Sequence, residues 1–272
     1  MWRTRDLTPR IGTEIRADKA TLLSGARAEE ILEILERRGV ICFRDANLND
    51  EEQRSFSQSL GELIPQGDKG VFTVSMDPDV NPSPEIAEYQ KGSIFWHIDT
   101  ATDRVPTKAS ILSPRVLSLT GGDTEFANTY AAYEDLPEDE KAQVEQLRVV
   151  HSTEAAQRLW NPWPTYAKLK QWQSIPTATH PLVWTHRSGR KSLVLGATAS
   201  HVVGMELDEG RALLCRLNEW ATQPQFVYRH QWEMGDLVMW DNTGVMHRAM
   251  PYPEDSGRRM HRTTLVGEES IA

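Results

Sequence analysis

Apolar positions in the first third of the chain follow first a helical period and then an extended one. Across residues 27–38 they recur on one face, with Glu and Arg opposite, and Gly39 follows where glycine commonly ends a helix. Residues 40–43 are continuously apolar and predict a short buried strand. Asn49 and Glu52 have the spacing of a capping box and predict the start of a second helix.

Further along, the pattern predicts a β-rich core interrupted by helices. Short apolar runs bounded by turn residues are typical of strands in a barrel or sandwich, and they occur at Ala109–Leu112, Pro181–Thr185, Ser192–Leu195 and Leu237–Trp240. Two segments with acidic residues just after their first position, 137–147 and 207–220, predict helices.

Two segments lack either period and are predicted to be loops. Residues 77–84 (DPDVNPSP) are rich in Pro and Asp, which favours an exposed loop. Residues 160–172 combine Asn and Pro with several aromatic residues, and we expect a long loop that forms a lid or the wall of a binding site.

Composition and charge narrow the class of protein. The 272 residues contain 30 Lys or Arg and 39 Asp or Glu, a formal charge of −9, which argues against a nucleic-acid partner. With 39% hydrophobic and 25% charged residues, the chain has the composition of an ordinary globular protein. The first twelve residues lack the apolar stretch of a signal peptide, and no apolar run is long enough to cross a bilayer. We therefore expect a cytoplasmic protein without a membrane partner.

The chain contains two cysteines, Cys42 and Cys215, far apart and each in apolar surroundings. We expect two buried, reduced thiols. This number is too small for a disulfide framework or a zinc site built from thiolates.

Candidate chemistry begins with His97 and Asp99, which project from the same face of the chain if that segment is extended. On its own such a pair is weak evidence for a functional site, because a surface His beside a solvated Asp is common. His247 follows a second apolar strand and a turn, far away in sequence. Two His and one carboxylate match the facial triad of non-haem iron(II) oxygenases, although a zinc hydrolase could use the same three ligands.

Residues 256–262 (SGRRMHR) suggest a site that binds an anion close to such a metal. If this segment is a strand, Arg258 and Arg262 share a face and offer two guanidinium groups to carboxylates or sulfonates. A solvated basic edge is the alternative interpretation. Five other histidines are expected to be core or surface residues rather than ligands: His151, His180, His186, His201 and His230. The chain has neither a nucleophile elbow nor a nucleotide-binding fingerprint.

These segments together resemble the taurine dioxygenase and 2,4-dichlorophenoxyacetate dioxygenase (TauD/TfdA) family of iron(II)- and 2-oxoglutarate-dependent oxygenases. The matching pieces occur in family order: Trp96-His97-x-Asp99, Gly121-Gly122-Asp123-Thr124-x-Phe126, His180-Pro181-Leu182-Val183, Trp240-Asp241-Asn242, His247-Arg248-Ala249 and Arg258 to Arg262. The resemblance implies that His97, Asp99 and His247 bind the metal.

The resemblance also assigns the anion-binding residues. Thr124 and Arg258 would hold the distal carboxylate of 2-oxoglutarate, although Thr124 is also an ordinary strand residue. Arg262 would hold the acidic group of the prime substrate. The implied cofactor is Fe(II), with 2-oxoglutarate and O2 as cosubstrates. Because Asp99 is present, a halogenase, which needs a small residue there, is disfavoured.

The fold implied by the family is a distorted double-stranded β-helix (a cupin-like jelly roll), mainly β with flanking helices. We expect one domain over residues 1–272, with an N-terminal helix–strand–helix part at 1–75 and a barrel core at 90–268. The implied reaction hydroxylates an unactivated C–H of a small, anionic substrate of the aryloxyalkanoate or sulfonate kind, and the product can then cleave. A larger natural-product intermediate and a catalytically inert jelly-roll binding protein are the alternatives. The sequence leaves open whether the protein is a homo-oligomer.

Overall fold

The computed structural model describes residues 2–81 and 83–272. Its strands are β1 (Trp2–Asp6), β2 (Thr13–Ala17), β3 (Val40–Phe43), β4 (Phe72–Val74), β5 (Ala109–Val116), β6 (Thr124–Asn128), β7 (Arg148–His151), β8 (Ala178–Pro181), β9 (Val183–Thr185), β10 (Lys191–Leu193), β11 (Ala199–Val202), β12 (Val227–His230), β13 (Leu237–Asp241), β14 (Val245–Ala249) and β15 (Arg259–Leu265).

Its α-helices are α1 (Lys19–Leu23), α2 (Ala28–Arg38), α3 (Asp50–Leu60), α4 (Pro84–Gln90), α5 (Thr129–Glu134), α6 (Glu138–Val144), α7 (Thr153–Trp160), α8 (Tyr166–Gln173) and α9 (Leu207–Ala221). Short 3-10 helices occupy Lys91–Ile94 and Pro224–Phe226. Within the part of the chain that the structure describes, no helix combines the length and the apolarity needed to cross a membrane.

Two facing sheets form the centre of the fold. The larger has seven strands in the order β1-β2-β3-β13-β5-β15-β4, and the smaller has the order β12-β6-β14. Alternate residues of β13 project from opposite faces of the sheet, as the two-residue period of a strand requires, and are buried in two different cores. Val238 and Trp240 pack with Phe126 of the small sheet, whereas Leu237 and Met239 pack in the core beneath the helices. The β-rich core that the sequence predicts is therefore present.

Helices α2 and α3 cover the outer face of the large sheet. Their apolar residues Ile34, Leu35 and Phe56 are buried in the same core as Met239. Gly39 ends α2 with a φ of +73°, and a Cβ there would lie 2.8 Å from the Val245 side chain. The helix stop at Gly39 and the strand 40–43 are confirmed.

The predicted capping box is also present at the start of α3, where Asn49 and Glu52 exchange hydrogen bonds of 2.9 Å. Both later helix predictions are confirmed. Helix α6 lies within the predicted segment 137–147, and α9 extends one residue beyond the predicted segment 207–220. The predicted strand over 181–185 is divided between β8 and β9.

Three sequence predictions are wrong. The aromatic segment 160–172 is mostly helical, because α7 ends at Trp160 and α8 begins at Tyr166. The segment 77–84 is not uniformly exposed, since Asp77 and Asn81 are buried; Pro82 lies outside the described residues. Cys42 is buried as expected, but Cys215 is exposed.

Candidate active site

His97 and His247 form an isolated antiparallel bridge that brings a mid-chain segment to β14. The backbone N–H of His97 donates to the carbonyl of His247 at 3.0 Å, and the N–H of His247 donates to the carbonyl of His97 at 2.9 Å. Directly opposed residues in such a bridge project from the same face, and the two ring centroids lie 4.1 Å apart. The two imidazoles are therefore fixed side by side by main-chain bonds.

Asp99 completes the cluster two residues after His97. Its Oδ1 lies 3.9 Å from Nε2 of His97 and 3.9 Å from Nε2 of His247. One potential ligand atom from each of the three residues lies within 4.8 Å of the others. The sequence-predicted triad is thus brought together at one point.

A hydrogen bond orients the ring of His97 for coordination through Nε2. Nδ1 of His97 lies 2.8 Å from the carbonyl oxygen of Phe95, so this nitrogen carries the proton and donates, which leaves Nε2 with a lone pair. Burial and the neighbouring His97 lower the pKa of His247 well below its usual range, so its ring is neutral at pH 7. A neutral imidazole is the form that binds a metal.

Asp99 is the anionic member of the cluster. Burial alone raises the pKa of a carboxyl, but Arg262 and the two histidines outweigh this effect and hold the pKa of Asp99 well below its usual range. Nη1 of Arg262 lies 3.2 Å from Oδ2 of Asp99. The carboxylate is therefore ionised throughout the physiological range.

A chain of hydrogen bonds behind Asp99 was missed by sequence reasoning. Oγ of Ser110 donates to Oδ2 of Asp99 at 2.8 Å, and Nδ2 of Asn242 donates to Oγ of Ser110 at 3.0 Å and to Oγ1 of Thr107 at 2.9 Å. Thr100 has a φ of +56°, which β-branched residues rarely adopt, and its Oγ1 accepts a 2.8 Å bond from the Thr107 backbone. Asn242 belongs to the Trp-Asp-Asn motif, and this motif was the one indication in the sequence that Asn242 supports the site.

Arg258 lies just before β15 and is 3% exposed. Its Nη2 donates to the carbonyl of Gly122 at 3.0 Å, and its guanidinium lies 4.6 Å from the ring centroid of Tyr252. Gly122 has a φ of +81°, and a Cβ there would lie 2.9 Å from Nε of Arg258, so this close approach favours glycine. Among residues 2–81 and 83–272, Arg258 has no carboxylate partner within ion-pair distance, and its Nε has no acceptor.

Thr124, at the start of β6, is buried near Arg258, and its Oγ1 accepts a hydrogen bond of 3.0 Å from Nε1 of Trp232. Sequence reasoning did not single out Trp232. A narrow cavity of about 50 Å³ is lined by Thr124 and Arg258 together with His97, His247 and Arg262.

A second cavity, of about 250 Å³, meets the first at His97 and Arg262 and is also lined by Asp99 and by α7. The triad therefore faces two adjoining spaces. A larger cavity of about 870 Å³ between α7 and α9 is lined by none of the three triad residues, so its size does not make it the active site.

The other histidines lie away from this cluster in hydrogen-bonded positions. Nδ1 of His151 contacts Oγ1 of Thr198 at 2.9 Å. His230 lies with Cys42 and Asp236 in a second group of potential metal ligands. However, Nη1 of Arg44 already binds Asp236 at 2.6 Å, and burial raises the pKa of the Cys42 thiol to about 12. That group is a buried hydrogen-bonded network rather than a metal site.

Comparison with known proteins shows the family to which the chain belongs. Residues 3–264 match the family described as taurine catabolism dioxygenase TauD, TfdA family. The chain is 36% identical to the alpha-ketoglutarate-dependent 2,4-dichlorophenoxyacetate dioxygenase of Burkholderia sp. (strain RASC), over 90% of this chain and 87% of that protein. It is 34% identical to the alpha-ketoglutarate-dependent sulfate ester dioxygenase of Pseudomonas putida, over 96% of this chain and 88% of that protein.

Among solved structures, AAD-2 in complex with Mn(II) and N-oxalylglycine is similar over the whole length of both chains, with a TM-score of 0.85 and 33% identity. The chain belongs to the TauD/TfdA family of 2-oxoglutarate-dependent dioxygenases. The resemblance inferred from the motifs, the jelly-roll fold class and the assignment to the oxidoreductases are therefore confirmed.

Proposed function

We propose that the protein is an Fe(II)- and 2-oxoglutarate-dependent dioxygenase that hydroxylates an unactivated C–H group of a small anionic substrate. The observation that carries this proposal is the position of His97, Asp99 and His247 at the junction of two cavities, one of which contains the buried Arg258. The first cavity supplies a binding site for the cosubstrate, and the second supplies one for the substrate.

The donor set fits iron(II). His97, His247 and Asp99 would hold the ion through two imidazole nitrogens and one carboxylate oxygen, which is the donor set of non-haem iron(II) oxygenases, and would leave it open to further ligands. When bound, Fe(II) with 2-oxoglutarate and O2 supplies the oxidant that converts C–H into C–OH, while 2-oxoglutarate is converted into succinate and CO2. AAD-2, of the same fold, was crystallised with Mn(II) and N-oxalylglycine, a molecule with the oxo-acid and carboxylate groups of 2-oxoglutarate.

Arg258 and Thr124 are proposed to bind the distal carboxylate of 2-oxoglutarate. A buried guanidinium is unfavourable unless an anion compensates its charge, and no carboxylate of the described part of the chain lies within ion-pair distance of Arg258. A bound carboxylate would supply the missing charge and an acceptor for Nε. The Thr124 hydroxyl, which already accepts from Trp232, would direct its own proton toward that carboxylate.

Arg262 is proposed to bind the acidic group of the substrate. It lies at the boundary of the two cavities, and its Nε has no acceptor among the described residues. Relatives act on 2,4-dichlorophenoxyacetate, (S)-phenoxypropionate and sulfate esters, all of which carry an acidic group. Hydroxylation of a carbon that bears oxygen or sulfur gives an unstable product, so cleavage would follow. The cavity of about 250 Å³ favours a small substrate over a large natural product.

The test is a screen for succinate release and O2 uptake with Fe(II), ascorbate, 2-oxoglutarate and a panel of aryloxyalkanoates, sulfonates and sulfate esters. We expect turnover that requires both iron and O2 and that is lost in His97→Ala, Asp99→Ala and His247→Ala, because three protein ligands leave no redundancy. Turnover without O2, or near-normal turnover and iron content in any of these variants, would contradict the proposal.

A further inference from the structure

Two polar side chains of α7 line the substrate cavity and have no hydrogen-bond partner among residues 2–81 and 83–272. Gln157 is 5% exposed and Thr153 is 7% exposed, and they lie four residues apart, so they project from the same face of the helix. Both line the cavity of about 250 Å³ that also contains Asp99 and Arg262. Neither the Gln157 amide nor the Thr153 hydroxyl is hydrogen-bonded to another described residue. The polar atoms of both side chains are open to this cavity and are therefore available to a ligand that occupies it.

Gln53 is a buried glutamine that stabilises the fold, and its hydrogen bonds can be compared with those of Gln157. It is fully buried, and its Nε2 donates to the carbonyls of Ile111 at 3.2 Å and His261 at 3.1 Å. Its Oε1 accepts from Ser113 at 2.5 Å and from Arg115 at 3.1 Å. The amide of Gln53 thus has protein partners at both ends, whereas the amide of Gln157 has none among the described residues at either end.

The surroundings of Gln157 confine its amide at the cavity wall. A Cβ on Gly92, in the 3-10 helix opposite α7, would lie 3.3 Å from Nε2 of Gln157. The absence of a side chain at position 92 therefore leaves the room that the amide occupies. An amide offers donors and an acceptor, and a hydroxyl offers both, so the two groups together match a neutral polar partner rather than an apolar ring.

We propose that the substrate carries, besides its acidic group, a neutral hydrogen-bonding group such as a hydroxyl or a carboxamide, which Gln157 and Thr153 bind. This inference rests on the proposed function, because it takes the same cavity as the substrate site. It separates this enzyme from its relative that acts on 2,4-dichlorophenoxyacetate, whose chlorinated ring has no such group. A site with unpaired polar groups discriminates strongly against a substrate that lacks the matching group.

The first test compares one substitution at the two buried glutamines in the metal-free protein. Gln53→Leu removes four hydrogen bonds and should lower the Tm by several degrees. Gln157→Leu replaces an unpartnered amide by an apolar group and should leave the Tm unchanged or raise it by about 2 °C. A fall in Tm for Gln157→Leu comparable with that of Gln53→Leu would show that Gln157 is structural and would overturn the proposal.

The second test measures binding to protein loaded with Mn(II) and N-oxalylglycine, by calorimetric titration. The probes are three pairs: phenoxyacetate, butyl sulfate and propanesulfonate, each with its terminal- or para-hydroxy analogue. In the wild type we expect at least one hydroxy analogue to bind about 10-fold more tightly than its partner. In Gln157→Leu, and in the isosteric Thr153→Val, this ratio should fall below about 3-fold. Equal affinities in all pairs, or no binding by any hydroxy analogue, would overturn the proposal.

Failure of this inference is distinguishable from failure of the proposed function. Wild-type protein with Fe(II), O2 and 2-oxoglutarate alone should release succinate slowly without a substrate. If that release occurs while the hydroxy analogues show no advantage, the oxygenase proposal stands and the polar substrate is excluded. If iron- and O2-dependent release is absent altogether, the proposed function itself fails.

Discussion

Arg262 directs Nη1 at the carboxylate of Asp99, 3.2 Å from Oδ2 and 3.4 Å from Oδ1. Oδ2 also accepts from Ser110, so this oxygen has two donors, while Oδ1 faces the two histidine rings. The contact gives Arg262 a role that sequence spacing did not suggest, since it compensates the charge of a proposed metal ligand. It also places the arginine within reach of the metal site and of both cavities.

Arg262→Ala should raise the KM for an anionic substrate by about 10- to 150-fold, because a charge-assisted hydrogen bond contributes roughly 1.5 to 3 kcal/mol. The KM for 2-oxoglutarate should stay within a few-fold, and decarboxylation uncoupled from substrate oxidation should remain detectable. Steady-state kinetics with separate measurement of succinate and product test both. Normal substrate kinetics combined with weaker iron binding would show that Arg262 serves only Asp99.

Arg258→Gln should raise the KM for 2-oxoglutarate by about 10- to 150-fold through loss of the same type of bond, while iron binding is retained. The neighbouring Arg259 is exposed, whereas Arg258 is buried, so Arg259→Gln is the matched control and should change neither the KM for 2-oxoglutarate nor iron binding. An unchanged KM in Arg258→Gln would exclude it as the clamp for the distal carboxylate.

The clustering of His97, Asp99 and His247 could be predicted from the sequence because each of them lies in a local motif whose spacing has a direct geometric meaning. The support behind it could not, because Asn242 and Ser110 are 132 residues apart and meet only through the pairing of β13 with β5. Gln157 was likewise hidden, since a glutamine on an amphipathic helix is an unremarkable surface residue until the cavity is known.

Two of the errors have identifiable causes. Cys215 was judged by its apolar neighbours in sequence, but in α9 the helical period buries Leu213, Leu214 and Leu217 and turns Cys215 outward. The first strands were missed because β1 consists mainly of exposed charged residues at the edge of the large sheet, where the alternation of apolar and polar positions is weak.

Ser110→Ala should lower the affinity for Mn(II) or Fe(II) by about 10-fold or more, since groups that hydrogen-bond to metal ligands typically contribute 10- to 100-fold to metal affinity. The variant removes the donor to Oδ2 of Asp99 and the acceptor for Asn242. Ser113→Ala is the control: Ser113 is buried on the same strand, but it bonds to Gln53 instead. Metal titration should separate the two variants, and equal metal affinities would show that Ser110 does not position Asp99.

Asp241 makes the stability of the fold depend on pH in an unusual direction. Burial raises the pKa of its carboxyl to about 6 from an ordinary value of 3.8, although it accepts hydrogen bonds from Thr243 and Tyr130. Between these two values the folded protein binds more protons than the unfolded chain. The contribution of Asp241 to the free energy of unfolding is therefore largest below about pH 4, falls as the pH rises to about 6, and stays low above it.

Asp241→Asn keeps an acceptor for Thr243 and cannot ionise. The difference between about 6 and 3.8 corresponds to about 3 kcal/mol, so the variant should be more stable than the wild type at pH 7 by up to that amount, and no more stable at pH 4. Urea unfolding of both proteins from pH 4 to pH 7 measures the difference, in which the titrations of all other groups cancel. Asp255→Asn, at an exposed position, should track the wild type throughout. If the advantage of Asp241→Asn were the same at pH 4 and pH 7, its cause would be packing rather than the ionisation of a buried carboxyl.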